Sequence, residues 1–163
     1  MNKRRKGPDL DDFKAWRKNL RKRYKRADEA GKSARPRDDA NNVMRLRAYA
    51  YFCELKRSGQ IGKLRDYVRG RDGSEWNGHG DEDEQWVFRL LAARGKQLAG
   101  QDEKSAAKAR ALRSRMCAEF KLASINKVRP EALLGFLYEA GPAAQIKRDA
   151  KNSVSYSWAP AYQ

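Results

Sequence analysis

Histidine and cysteine are scarce in this chain, one of the first and two of the second. A zinc site draws on four ligands, mostly of these two types, so His79, Cys53 and Cys117 cannot build one between them. Each cysteine falls inside an apolar helical pattern, which reads as a buried thiol in a reducing, cytoplasmic compartment and not as half of a disulfide. Long apolar runs are missing as well. None approaches the roughly 18 residues that span a bilayer. Met1 to Lys6 is basic but leads into Gly7, Pro8 and Asp9 instead of the apolar stretch of a secretory signal. Neither GxxxxGK[ST] nor GxGxxG occurs, so no glycine-rich phosphate cradle is encoded. No serine or cysteine sits in a nucleophile-elbow context. The expectation is a protein that is not an enzyme and carries no cofactor and no metal.

What the chain has in excess is positive charge. Lys and Arg number 37 against 21 Asp and Glu, a formal charge of +16. Self-repulsion at that charge opposes compaction, and a polyanionic partner relieves it. The excess is also uneven. Residues 1–37 carry a net +10, residues 38–100 only +1, and residues 101–163 +5. The length of 163 residues suits one domain, and 40% hydrophobic residues supply a modest core under a very polar shell.

Apolar spacing organises the chain into helices. Asp9, Asp11 and Asp12 follow Pro8 where a helix start favours negative charge. Leu10, Phe13, Trp16, Leu20 and Tyr24 then recur on one stripe, and basic residues fill most of the remaining circumference as far as Asp28 to Gly31. Gly31 to Arg37 reads as a linker. Asp38 or Asp39 can cap a second helix ending at Ser58-Gly59. Its wide apolar face (Met44, Ala48, Tyr51, Phe52 and Leu55, broadened by Leu46, Tyr49 and Cys53) marks a central helix. Ile61, Leu64 and Val68 fit a short helix stopping at Gly70, followed by a glycine-rich loop to Gly80. Asp81 to Glu84 load the first turn of a helix with Trp86, Val87, Leu90, Leu91 and Leu98 inward. Gln101 to Leu122 is the longest candidate, lined by Ala106, Ala109, Leu112, Met116 and Phe120. Pro130 opens a last core helix with Leu133, Leu134, Leu137 and Tyr138 as its buried face, and a short amphiphilic segment spans 143–151. Only Ser153 to Trp158 alternates as a strand does. The fold class is all-α, a compact bundle of five to six helices. It divides into a basic arm and helix (1–37) that either projects or packs, a helical core (38–151) and an aromatic tail (152–163).

The first candidate contact surface for nucleic acid is Arg17, Lys18, Arg21, Lys22, Lys25 and Arg26, dense enough to neutralise several phosphates and release their counterions. Trp16 and Tyr24 either stack on bases or pack on the core. The second is Lys104, Lys108, Arg113 and Arg115, extended by Lys121, Lys127 and Arg129. Helix 102–122 and helix 130–140 are not a helix-turn-helix of the usual form. Ala123 to Arg129 is too long for its turn and lacks the glycine. The second helix carries Glu131 and Glu139 but no Lys or Arg, so contact should be with the backbone and not with base edges. Asp81 to Glu84 read as compensation of a helix dipole, because four consecutive positions diverge in space and lack EF-hand spacing. His79 beside Asp81 and Glu82 reads as a surface loop residue. Tyr156, Trp158 and Tyr162 either fold back on the body, dock a partner protein or stack on single-stranded bases.

Arg115-Met116-Cys117-Ala118-Glu119-Phe120, then Leu122, Ser124, Ile125, Val128 and the helix from Pro130 to Glu139, resembles a helical segment of phage antirepressor-type proteins. The resemblance covers residues 115–140 and implies a mobile-element origin and a helical packing or self-association module. It includes no functional side chain. The expected function is therefore a non-enzymatic nucleic-acid-binding protein of accessory or regulatory role, DNA ahead of RNA. The alternative is an interaction factor or inhibitor whose basic face grips an acidic protein.

Overall fold

Capping side chains set where the first helices begin. The computed structural model describes residues 12–30, 39–72, 83–92 and 103–163. Asp12 Oδ1 accepts from the backbone N of Ala15 at 3.0 Å and starts helix α1 (Phe13–Glu29). Asp39 Oδ1 accepts from the N of Asn41 at 3.0 Å and of Asn42 at 3.2 Å, and starts α2 (Ala40–Arg57). Of the two aspartates able to cap α2, Asp39 does so. Helix α3 (Ile61–Asp72) runs past Gly70, since one glycine weakens a helix by only about 1 kcal/mol and need not end it. Then come α4 (Asp83–Ala92), with Asp83 and Glu84 in its first turn, and α5 (Glu103–Ile125), three residues longer at its C-terminal end than the sequence pattern implied. A 3-10 turn (Pro130–Ala132) leads into α6 (Leu133–Ala140), followed by α7 (Ala143–Lys151) and a final 3-10 turn (Ala159–Tyr162). The described residues thus form an all-α bundle containing every expected helix, and the segment 143–151 is helical as well. The linker at 31–37, the loop at 73–80 with His79, and Asp81, Glu82, Leu10 and Leu98 lie outside the described residues.

Helix α2 is the axis of the body. It packs against α1, α4, α6 and the Pro130 turn, while α5 packs on α4, α6 and α7. Ala48, Leu55, Leu64, Val68, Trp86 and Phe120 are fully excluded from solvent. Tyr49 and Phe120 meet edge-on with ring centroids 5.1 Å apart, an arrangement that suits the ring quadrupoles. The same core cluster takes in Phe13 near one terminus and Ala159 near the other.

Helix α1 does not project. Phe13 and Leu20 are buried, and Trp16 stacks on Tyr51 of α2 with centroids 3.9 Å apart and planes 13° from parallel. The apolar stripe is wide enough that standing free would leave it in water. The strand-like alternation at 153–158 does not produce a strand, in keeping with the all-α class. Those residues form irregular chain between two turns, and the tail folds back so that Tyr156, Trp158 and Tyr162 surround Phe136 at 6.0, 5.4 and 6.1 Å. Tyr162 lies so close to Gly135 that a Cβ there would sit 3.1 Å from its ring.

The buried face of α6 needs correction. It is Leu133, Phe136, Leu137 and Ala140, whereas Tyr138 is 89% exposed and Leu134 only partly covered. The spacing 133, 136, 137, 140 is one helical stripe, and Tyr138 belongs to the opposite side. The aromatic tail supplies the cover that selects Phe136. Replacing Phe136 by Ala should cost about 3–5 kcal/mol in chemical denaturation, while Tyr138→Ser should stay within about 0.5 kcal/mol. Equal effects would refute this orientation of α6.

Candidate nucleic-acid interface

The circumference of α1 that faces away from α2 is basic. With Phe13 and Leu20 turned inward and Trp16 and Tyr24 half-buried, Lys14, Lys18, Lys22 and Arg26 form an exposed line along the other side. Each is four residues from the next, so each lies one turn above the last, about 6 Å along the axis. Lys25 is also exposed and pairs with Glu29 at 3.7 Å, with side chains 77% and 63% accessible. A pair that open is worth little and yields easily to a phosphate. Arg23 Nε donates to Asn19 Oδ1 at 3.1 Å and leaves the charge unneutralised. Arg21 is exposed beside this line and Arg17 is half-buried nearer the core. The six residues expected on this helix are therefore brought onto one structural element, and Lys14 joins them. The i, i+4 spacing of Lys14 with Lys18 was the signal for it. Trp16 and Tyr24 serve the core side and not the basic line.

The second group is not brought together in the same way. The side chains of Lys104, Lys108 and Arg113 lie outside the described residues. Arg115 is half-exposed, and its Nε donates to Glu119 Oε1 at 2.9 Å. The other carboxylate oxygen, Oε2, accepts from Arg45 Nε at 2.7 Å. Glu119 is 1% exposed and Arg45 8%, and Arg45 Nη1 also donates to Asn42 Oδ1 at 3.0 Å. Both oxygens of a buried carboxylate are thus engaged by guanidinium groups, and the one from Arg45 ties α2 to α5. Sequence reasoning passed over Arg45. The available signal was its place one turn before Ala48 and Tyr49, on the face that packs.

Further buried polar groups hold the C-terminal third together. Tyr49 OH donates to the Val128 carbonyl at 2.9 Å, and burial pushes its phenol well above the ordinary tyrosine range. Asn126 Nδ2 donates to the carbonyls of Leu122 at 2.9 Å and Val154 at 3.1 Å, while its Oδ1 accepts from the N of Tyr156 at 2.8 Å. Asp149 accepts from Tyr156 OH at 2.6 Å and Gln145 Nε2 at 2.8 Å. Those two hydrogen bonds, the tyrosine's first, hold its carboxyl below the ordinary value of 3.8. The cysteines are free and half-buried, and burial raises the Cys53 thiol, the opposite of a reactive thiolate.

Comparison of the chain with protein-family models, curated proteins and solved structures returned no match. Among the described residues no group of three or more His, Cys, Asp or Glu side chains is arranged to hold a metal ion. Among the same residues no helix is long and apolar enough to cross a membrane.

The buried polar groups lead to two expected outcomes. Glu119→Ala strands the Arg45 guanidinium and should destabilise by about 3–5 kcal/mol, whereas Arg115→Gln, which leaves Glu119 paired with Arg45, should cost about 1 kcal/mol or less. Asp149, whose carboxyl is held below its ordinary value of 3.8, stabilises the fold above that value, and the contribution disappears as pH falls through the lower folded-state value. The stability gap between wild type and Asp149→Asn, measured by denaturant titration, should therefore be widest near neutral pH and close at low pH. A gap that stays constant would contradict the assignment.

Proposed function

We propose that the chain is a non-enzymatic nucleic-acid-binding protein of the cytoplasm, with DNA as the favoured polynucleotide, gripping the phosphate backbone through α1. The role is accessory or regulatory, as in the replication, transfer or transcription of a mobile element. One observation carries the reading: Lys14, Lys18, Lys22 and Arg26 stand exposed in a line on a helix whose opposite side is fixed to the core. Among the described residues no carboxylate is paired with any of those four. A helix of 17 residues is about 25 Å long, enough to follow several phosphates. Because the line is held rigidly, little conformational freedom of the backbone is given up on binding. Lysine and arginine side chains on one face meet phosphates without reading base edges, so binding tolerates sequence. Arg115 and the α5 residues before it are a secondary surface.

The test is a mobility shift with double-stranded and single-stranded DNA and with RNA across a salt series. The expected result is tight binding at low salt, with the logarithm of the binding constant falling linearly against the logarithm of salt. Reversing Arg21, Lys22 and Lys25 to Glu should make that slope shallower by at least about 0.9 for each phosphate that the variant no longer neutralises. All three side chains are exposed, so the fold should persist. Indifference to every polynucleotide at low salt, together with tight binding to one acidic protein, would replace this reading with the inhibitor alternative.

A further inference from the structure

Three helices end at the same end of the bundle. Lys56, in the last turn of α2, reaches α5 and donates from Nζ to Ser124 Oγ at 3.3 Å. Lys127 is the second residue beyond α5, its N donating to the Ser124 carbonyl at 3.1 Å. The neighbouring Asn126 holds the Val154 carbonyl at 3.1 Å, just beyond the end of α7 at Lys151. Lys56, Lys127 and Lys151 are all exposed. Among the described residues no ion pair engages Lys127 or Lys151.

Lys127 sits there under strain. Its φ is 54°, the left-handed conformation that an L side chain adopts only at a steric penalty. The cap it forms, completed by Val128 N donating to the Ala123 carbonyl at 3.0 Å, is the one in which glycine is usual. Helix α2 uses glycine in the same position. Gly59, at φ 71°, donates to the Lys56 carbonyl at 3.2 Å, and Gln60 N donates to the Leu55 carbonyl at 2.8 Å. Ser153 takes the left-handed conformation after α7, with a much shorter side chain. A long cation held where glycine would relieve the backbone points to a use for its ammonium group.

We infer that Lys127, flanked by Lys56 and Lys151, is a further contact for the phosphate backbone of a polynucleotide. The inference rests on the proposed function and adds to it a surface separate from α1. Each ammonium ends a flexible stem, so this patch supplies point charges and not a fixed fork, and is as tolerant of sequence as α1. The competing explanation is electrostatic compensation, because the last turn of α5 contains no basic residue and Lys127 caps its terminal carbonyls.

The two explanations separate in one pair of variants, Lys127→Gly and Lys127→Gln, measured for thermal unfolding without ligand and for salt-dependent binding to double-stranded DNA. Lys127→Gly is expected to raise the melting temperature and to make the salt slope shallower by about one. Lys127→Gln, which keeps the strained backbone, should lower the slope equally without the gain in melting temperature. A slope identical to wild type in both variants overturns the inference while leaving the α1 reading intact. So does a fall in melting temperature for Lys127→Gln with the slope unchanged, the result that compensation alone produces. Absence of any DNA binding by the wild-type protein removes both.

Discussion

A helix surrounded on several sides must satisfy every buried polar side chain it carries from within the protein, and α2 is that helix. Its apolar residues are covered by α1 through the Trp16–Tyr51 stack and by α5 through Phe120 against Tyr49 and Phe52. Arg45 and the Tyr49 hydroxyl would each be costly if buried alone. Arg45 finds Glu119 and Asn42, and the Tyr49 hydroxyl finds the Val128 carbonyl. These interactions fix the register of α5 on α2 and place the turn after α5. The C-terminal segment is built upon that turn.

Fixing α2 also fixes what faces outward. Once Phe13, Trp16 and Leu20 are turned toward the body, the other side of α1 has nowhere to point but into water, and it is the most basic stretch of the described chain. The ends of α2, α5 and α7 are different in kind. There the cations stand near helix C-termini, whose carbonyls carry partial negative charge.

The tail shows how a short core is completed. Helix α6 has only eight residues, too few to bury Phe136 by itself. Three aromatic side chains from 156–162 do so, held by Asn126, by Asp149 and by Tyr162 OH donating to Glu139 at 2.7 Å. Tyr156 and Trp158 are stacked 4.6 Å apart, 13° from parallel. The stack leaves Tyr156 and Trp158 half-buried, and Tyr162 is half-buried beside them.

Helical class, aspartate-led starts to α1 and α2 (among Asp9, Asp11 and Asp12 for the first, Asp38 or Asp39 for the second), and the basic character of α1 could all be read from the chain. Each depends on interactions within a turn or two: capping hydrogen bonds, apolar spacing, and the count of like charges along one helix. Other features required the fold. Phe136 and Tyr138 compete on equal terms for burial until the tail folds back from beyond α7. Arg45 looks like a surface cation until Glu119, 74 positions later, is brought against it. Lys127 reads as an extension of the α5 basic stripe, and its left-handed backbone emerges only when the end of α5 is formed around it. Local spacing determines which side of a helix is apolar. Only packing between distant segments determines which apolar side is covered, which charge is paired, and which backbone position must bear strain.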